Sequence, residues 1–417
     1  MKTVIALLIF TSSLSIFAQW NPQNLGAGNY NGWIHMVDNM HGYLLLSIAN
    51  QNKKILKTVN GGLNWTATPY ILNTSHSDIF FTGVNTGYIT GASGSILKST
   101  DGGNSFTPLT TGTTENISRI SFANVNTGYA SGANGTVLRT TNAGVSWNPV
   151  NIITSGSIRI GLIDANNVIA VSGLNVYKTT NGGTNWQAGT LTGKNSVGVH
   201  MVNNLTGYIA GSSGAIISGS VNKTTDGGNT WQLILDNFTP LNGVCFTSEN
   251  TGYIYGGSSS LDAFAEASYI GKTTNGGLNW HTQQTGSLWP VLDMSFASSE
   301  VGVATAFDVV TYTVNGGGAI GIQQITSEVP NSFSLSQNYP NPFNPVTNIE
   351  FSVPKSTFVK LAVYDVTGRE LETLVSQNMT AGTYKADWDA SKYSSGVYFY
   401  TITSGSYHQT KKMILIK

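Results

Sequence analysis

The sequence predicts an all-β protein: a seven-bladed β-propeller closed by its N-terminal strand, followed by a small Ig-like β-sandwich. Three observations carry this prediction. A short turn motif recurs seven times along the chain, the start of the chain repeats the end of one repeat, and the composition changes after Gly318. Self-similarity at a period of 20–50 residues is the usual signature of a repeat architecture.

The repeated motif sets the number and size of the units. Its copies KTVNGGLNW, KSTDGGNSF, RTTNAGVSW, KTTNGGTNW, KTTDGGNTW and KTTNGGLNW, and the degraded YTVNGGGAI, begin at Lys57, Lys98, Arg139, Lys178, Lys223, Lys272 and Tyr312. The spacings of 39 to 49 residues fit a four-stranded propeller blade. An apolar triplet and an NTGY-like strand precede each copy, and Gly and Asn mark the turns, since both reach positive φ at low cost.

The start of the chain predicts how the ring closes. The string WNPQN at Trp20 resembles WNPVN at Trp147, which begins the last strand of a repeat. The seventh copy has three strands and lacks this Trp. We therefore expect the N-terminal segment to complete the blade that begins near Leu292, which leaves no open sheet edge.

The segment boundaries follow from composition. Residues 1–18 read as a secretory signal peptide, with Lys2, an apolar stretch from Val4 to Phe10, and Ala18 before the cleavage site. We assign residues 19–318 to the propeller, 319–331 to a linker and 332–417 to the C-terminal domain. No later stretch has the ~20 apolar residues of a membrane-spanning helix, so we expect a secreted protein.

The charge content is low and balanced. Charged residues are 10% of the chain, with 20 Lys and Arg against 20 Asp and Glu. This gives no electrostatic footprint for nucleic acid or an anionic membrane. Cys245 is the one cysteine, so no internal disulfide forms. The His residues show no metal-ligand spacing, and we expect no metal, no cofactor and a monomer.

The repeated turn carries a family resemblance. The pattern [ST]-x-[DN]-G-G-x-[TNS]-W resembles the Asp-box of sialidase-type (BNR) repeats, and with NTGY and the 41-residue spacing it resembles the photosystem II stability and assembly factor family of propellers. In Asp-box families the aromatic residue wedges between outer strands, which implies a structural role for Trp65, Phe106, Trp147, Trp186, Trp231 and Trp280. The alternative is a girdle for sugar stacking. The sequence lacks the arginine triad and Tyr-Glu pair that a sialidase needs.

The C-terminal segment resembles the type A sorting domain of the type IX secretion system. The matching strings are NYPNPFNP at 338–345, VYDVTG at 363–368, SGVY at 395–398 and the Lys411-Lys412 ending. The sorting motif itself is Asn341, Pro342, Phe343, Asn344 and Pro345. The resemblance implies handling by the type IX machinery and a secreted or cell-surface location. The alternative is an ordinary Ig-like adhesion module.

A ligand site is predicted at one face of the ring, because loops on a rigid scaffold carry function. The position before each apolar triplet forms a column: Trp33, Asp78, Arg119, Arg159, Gly198, Gly243 and Asp293. Arg119 and Arg159 in neighbouring blades suit a carboxylate or phosphate. Alternatively, Arg119 pairs with Asp78 and only links two blades.

Two insertions between second and third strands add further candidates. They are Ser212 to Ser220 and Gly257 to Tyr269, and the second contains Asp262 and Glu266. These acids over a channel mouth could bind a glycan, or they lie in a solvated loop. The sequence therefore favours a non-enzymatic binding or scaffold propeller for a protein or glycan. The alternatives are a glycan-active hydrolase or lyase that uses paired carboxylates such as Asp78 and Asp293, and a purely structural or adhesive role.

Overall fold

The structure, a computed structural model, describes residues 20–23, 25, 30–48, 53–72, 75–152, 156–213, 218–258, 268–283, 285, 287–317, 322–326, 329–390 and 393–416. The predicted signal peptide lies outside the described residues. Two compact units are present, Gln19–Gly318 and Ala319–Lys417. Within the described residues there is no helix long and apolar enough to cross a membrane.

The first unit is built from short strands, as its turn-rich repeats predict. In chain order they are β1 (Asn21–Gln23), β2 (Tyr30–Met36), β3 (Gly42–Ile48), β4 (Lys53–Thr58), β5 (Thr66–Leu72), β6 (His76–Phe81), β7 (Gly87–Gly91), β8 (Ile96–Ser99), β9 (Thr107–Leu109), β10 (Ile117–Phe122), β11 (Gly128–Gly132), β12 (Val137–Thr140), β13 (Asn148–Pro149), β14 (Arg159–Leu162), β15 (Val168–Ser172), β16 (Asn175–Thr179), β17 (Gln187–Thr190), β18 (Asn195–Met201), β19 (Gly207–Ser213), β20 (Ser218–Thr224), β21 (Gln232–Phe238), β22 (Leu241–Phe246), β23 (Gly252–Gly256), β24 (Tyr269–Thr273), β25 (His281–Gln283), β26 (Val291–Phe296), β27 (Gly302–Ala306) and β28 (Val310–Thr313).

These strands form seven antiparallel sheets of four strands, the blades of the propeller. Blades 1 to 6 take consecutive strands, from β2–β5 to β22–β25, and blade 7 is β26, β27, β28 and β1. The first strands of neighbouring blades pack against each other around the whole ring, and β26 of blade 7 packs against β2 of blade 1. The predicted all-β propeller fold is confirmed.

The N-terminal segment closes the ring. Strand β1 pairs antiparallel with β28, with Asn21 opposite Tyr312 and Gln23 opposite Val310. Trp20 is fully buried, and its indole N–H donates to Gln283 Oε1 at 3.2 Å. The chain start therefore supplies the outermost strand of blade 7, as the repeated WNP string predicts.

The repeated turn is held by its own side chains. In blade 1, Thr58 Oγ1 accepts the N–H of Gly62 at 3.0 Å, and Asn60 Oδ1 accepts the N–H of Asn64 at 2.9 Å. Gly61 and Gly62 adopt φ of 69° and 89°, a region that favours glycine. The Thr or Ser, the Asn or Asp and the small residues of the motif are thus fixed by turn geometry.

The tyrosine of the NTGY strand, present in five of the seven blades, contacts the following blade. Tyr88 stacks on Phe122 of the following blade at 4.4 Å and donates its hydroxyl to Ala143 O at 2.8 Å. Lys98 lies over the Tyr88 ring at 5.5 Å and donates to the same carbonyl at 2.7 Å. Related stacked pairs are Tyr43 with Phe81, Tyr208 with Phe246 and Tyr253 with Phe296. The repeat therefore encodes the contacts between blades as well as the blades.

The second unit is a two-sheet sandwich. Its strands are β29 (Ile322–Thr326), β30 (Ser334–Leu335), β31 (Val346–Val353), β32 (Thr357–Tyr364), β33 (Glu370–Met379), β34 (Gly382–Asp389), β35 (Gly396–Ser404) and β36 (Tyr407–Leu415). The sheets have the orders β29-β34-β31-β30 and β33-β32-β35-β36, and share one core that includes Phe351, Val363, Trp388 and Tyr400.

The predicted linker differs from the structure in one respect. Residues 322–326 form β29, which pairs antiparallel with β34. The segment IQQIT is short and carries no turn residues of its own, so a pairing with a strand 60 residues later leaves no local signal in the sequence.

Candidate functional site

The innermost strands of the blades surround a cavity of about 340 Å³. Its lining includes the predicted column residues Asp78, Arg119, Arg159, Gly198, Gly243 and Asp293. In five blades the strand pairing slips by one residue just before the column position, at Asp78, Arg119, Gly198, Gly243 and Asp293. Such a bulge re-aims the next side chain. The size of the cavity is within the range of ligand pockets.

Trp33 is the column residue that does not line the cavity. Its ring packs with the core between blades 1 and 2, and Lys53 Nζ lies 5.6 Å from the ring centroid. Its strand β2 pairs with β3 without a slip, but β14 also pairs without one and Arg159 still lines the cavity, so the bulge alone does not decide which column residues face it.

The two column carboxylates hold neighbouring blades together. Asp78 Oδ2 accepts the N–H of Ile120 in blade 3 at 2.9 Å. Asp293 Oδ2 accepts the N–H of Ile34 in blade 1 at 3.0 Å, which repeats the arrangement at the ring closure. Each acid thus satisfies a backbone donor of the next inner strand, a role that leaves less of the carboxylate available to a ligand.

The two column arginines have different partners. Arg119 Nη1 lies 3.7 Å from Asp78 Oδ1, so the predicted pair between these residues forms. Arg159 Nη1 donates to Ser118 Oγ at 3.1 Å. In the part of the chain that the structure describes, Arg159 has no carboxylate within 4.0 Å, and its buried Nε has no hydrogen-bond partner. Arg159 is therefore the group that can bind an anion at least cost.

Burial and mutual charges shift the pKa values of this cluster. Burial raises the pKa of Asp78 to about 7; the Arg119 guanidinium opposes the shift and Asp293 adds to it. Burial also raises the pKa of Asp293, against the effect of Arg119. Burial and the nearby Arg119 charge lower the pKa of Arg159 to about 10. Two acids compete for one guanidinium, while the second guanidinium is repelled by the first.

Tyr255 is a member of the cluster that the sequence did not reveal. Its hydroxyl donates to Asp293 Oδ1 at 3.4 Å, and burial raises its pKa well above the usual value. The ring crosses Gly243, where a Cβ would lie 2.2 Å from the Tyr255 hydroxyl. A glycine in the column opposite a tyrosine on the paired strand was the available signal.

Other polar groups of the cavity bond to the scaffold. His35 Nε2 donates to Phe81 O at 3.0 Å, and burial lowers the pKa of both His35 and His200 to about 4, against a hydrogen bond to a backbone carbonyl. Burial raises the pKa of the Cys245 thiol to about 12, which makes it a poor nucleophile. Among the described residues, no group of His, Cys, Asp and Glu could hold a metal ion.

The insertions contribute little to the described site. The first lengthens β19 and β20 into a hairpin whose described strands end at Ser213 and begin again at Ser218. The predicted candidates Asp262 and Glu266 lie outside the described residues.

The Asp-box aromatic residues pack into the blades. Phe106 and Trp147 are 7% and 6% exposed, and Trp147 meets Phe122 edge-on at 6.1 Å. The half-buried members pack against neighbouring core clusters: Trp65, Trp186, Trp231 and Trp280. These contacts are those of a wedge between strands.

The sorting motif is tied to the last strand of the chain. Phe343 is 2% exposed, and its N–H donates to Ile414 O at 3.0 Å. Asn341 Oδ1 accepts the N–H of Ile414 at 3.0 Å. The remaining motif residues are Pro342, Asn344 and Pro345. The motif and strand β36 therefore form one structural element.

Comparisons with known families agree with both resemblances. Residues 69–215 match the family described as photosynthesis system II assembly factor YCF48. Residues 337–417 match the secretion system C-terminal sorting domain. No curated protein matches the chain.

Solved structures show the same fold at low sequence identity. YCF48 bound to a D1 peptide is 17% identical, with a TM-score of 0.56 over 72% of this chain and 98% of that one. YCF48 from Cyanidioschyzon merolae is 15% identical, with a TM-score of 0.54 over 71% and 98%. The WD40 propeller domain of Doa1 is 9% identical, with a TM-score of 0.54 over 71% and 97%.

The fold and the two matches define the class of protein: a β-propeller joined to a secretion sorting domain. The propeller is similar to the YCF48 assembly factors. The sorting domain indicates type IX secretion and a cell-surface or secreted location.

Proposed function

We propose that the chain is an exported, non-enzymatic binding module whose propeller holds a protein or glycan ligand at the mouth of its central cavity. The observation that supports this most is Arg159, a guanidinium at the cavity without a carboxylate partner among the described residues. An anionic group of the ligand would complete its hydrogen bonds, and charge-assisted bonds of this kind are among the strongest available.

The protein relatives support a binding role at the level of the fold. One structural neighbour is a YCF48 propeller with a bound peptide. Its ligand does not transfer to this chain, because a fold hosts many functions. The shared fold supports only the use of a propeller as a platform for a partner. We also propose that the signal peptide is removed after Ala18 and that the protein is a monomer.

A second candidate function is a glycan-active hydrolase or lyase. It is favoured by the presence of two carboxyls with raised pKa values, Asp78 and Asp293, at one cavity. Against it, each carboxylate already accepts a backbone N–H of the neighbouring blade. A general acid or base must reach the substrate through these same oxygens.

One assay separates the two functions. Residues 19–417 are incubated with polygalacturonate, alginate, xylan and poly-L-glutamate, and bound protein and new reducing ends are measured in the same tubes. We expect retention on an acidic polymer without new reducing ends. New reducing ends would show that the protein is a glycan-active enzyme. The absence of retention on any acidic polymer would contradict the proposed binding function.

A double variant tests whether the two column arginines bind the ligand. Arg119→Gln with Arg159→Gln removes both positive charges but leaves Asp78 to hold the N–H of Ile120. We expect this variant to fold and to lose retention. If the double variant is retained as strongly as the original chain, the column arginines do not bind the ligand.

A further inference from the structure

Trp289 is a tryptophan that the repeat does not explain. Aligned on the column, its position in five other blades is occupied by Thr74, Glu115, Ser155, Lys194 and Thr239. Its side chain is 43% exposed, whereas the Asp-box aromatics pack into the blades. A bulky aromatic residue in one blade, on a loop and partly in solvent, is not required by the scaffold.

The loop that carries Trp289 is held in place. Asp308 accepts the Ser287 hydroxyl at 2.5 Å and the Leu288 N–H at 3.3 Å. The N–H of Trp289 donates to Ser287 Oγ at 2.9 Å. Phe307 meets the indole edge-on at 6.2 Å and 70°. The exposed ring is thus oriented before any ligand arrives, which lowers the entropic cost of binding.

The loop that carries Trp289 leads into the inner strand of blade 7. Trp289 precedes the inner strand β26 by two residues and the cavity residue Asp293 by four, which is roughly 14 Å of extended chain at most. Phe307 and Asp308 belong to the β27–β28 connection, so both connections of blade 7 meet on this face.

The surroundings fit a neutral sugar better than a protein partner. The polar groups of the loop are bonded to one another: the Ser287 hydroxyl donates to Asp308, Thr285 Oγ1 accepts the N–H of Ser287, and both oxygens of Asp308 accept bonds from the loop. A pyranose ring presents a C–H face that can stack on an exposed indole. The apolar patch here is Leu288 and Trp289, far short of the ~800 Å² that a stable protein partner covers.

We propose that Trp289 is a stacking platform for a neutral sugar unit of a glycan, on the loop that leads into the inner strand of blade 7, an inference that rests on the proposed binding function and adds a neutral sugar unit to its ligand. Asp308 fixes the platform through its bonds to Ser287 and Leu288.

The test is calorimetric titration of residues 19–417 with cellohexaose, xylohexaose, laminarihexaose, mannohexaose and maltohexaose. We expect at least one of these to bind, and Trp289→Ala to weaken that binding by about tenfold or more. Trp289→Tyr keeps an aromatic face and should stay within about threefold. Leu278→Ala is the matched control, because Leu278 is 76% exposed in the β24–β25 turn.

The outcomes separate this inference from the function on which it rests. Sugar binding that falls in Trp289→Ala but not in Arg159→Gln supports the platform as a site of its own. If none of the five probes binds, or if Trp289→Ala binds as tightly as the original chain, the platform is wrong. Retention on acidic polymers would then still report on the arginines alone.

Discussion

Ring closure by the N-terminal segment predicts a large effect at Trp20. The Trp20 side chain is fully buried, packs edge-on against Phe296 at 5.6 Å and Tyr253 at 6.2 Å, and donates to Gln283. Replacement of a buried Trp by Ala costs about 3–5 kcal/mol. Since whole domains are stable by only about 5–15 kcal/mol, Trp20→Ala should remove a large part of the propeller's stability.

The assay is urea unfolding followed by circular dichroism and fluorescence. The control is Trp289→Ala, the same chemical change at a side chain that is 43% exposed, which should cost about 0.5 kcal/mol or less. Deletion of residues 19–23 should also free the edge of β28 and produce oligomers in size-exclusion chromatography. Equal stability of the Trp20 and Trp289 variants would refute the closure.

Two further predictions concern pH and export. Because the pKa of Asp78 is raised to about 7 in the folded chain, the folded state holds an extra proton between about pH 4 and 7, and this stabilisation is lost as pH rises through 7. His35 and His200 act in the opposite sense, so the measurement is the difference between the original chain and Asp78→Asn, which should change by up to about 1.4 kcal/mol per pH unit in urea titrations; parallel curves would contradict it. Deletion of residues 332–417 should leave the protein in the periplasm in cell fractionation, and continued appearance in the medium would show that the domain is not needed for export.

The repeat was predictable because its residues act locally. Thr58, Asn60 and the glycines of the turn bond within a few residues of one another, so spacing alone reveals them. The ring closure by Trp20 was also predictable from the sequence, because the N-terminal segment resembles a string that occurs elsewhere in the chain.

The chemistry of the cavity was only partly predictable. The column identified four side chains that line the cavity, because equivalent positions in a ring face a common axis: Asp78, Arg119, Arg159 and Asp293. Trp33 occupies the equivalent position in blade 1, but its ring packs into the core between blades 1 and 2.

Contacts between residues on different strands left weaker signals. The Tyr255 side chain reaches the cavity by crossing the backbone of Gly243. The repeat pattern does not predict this contact. Trp289 lies outside the repeated strings, so the repeat predicts no role for it. Its absence from the other blades is also the reason to assign it a role. Strand β29 pairs far along the chain and reads locally as a linker.

The central claim is that this exported propeller binds an anionic group through Arg159. The most direct measurement is equilibrium binding of residues 19–417 to immobilised polygalacturonate and poly-L-glutamate, with Arg159→Gln compared to Arg139→Gln. Arg139 is the matched control, because its guanidinium lies over Tyr129 and donates to Asn166 in the β14–β15 turn. The account predicts that Arg159→Gln weakens binding by roughly tenfold to a hundredfold while Arg139→Gln leaves it unchanged. Equal binding by the two variants would contradict it.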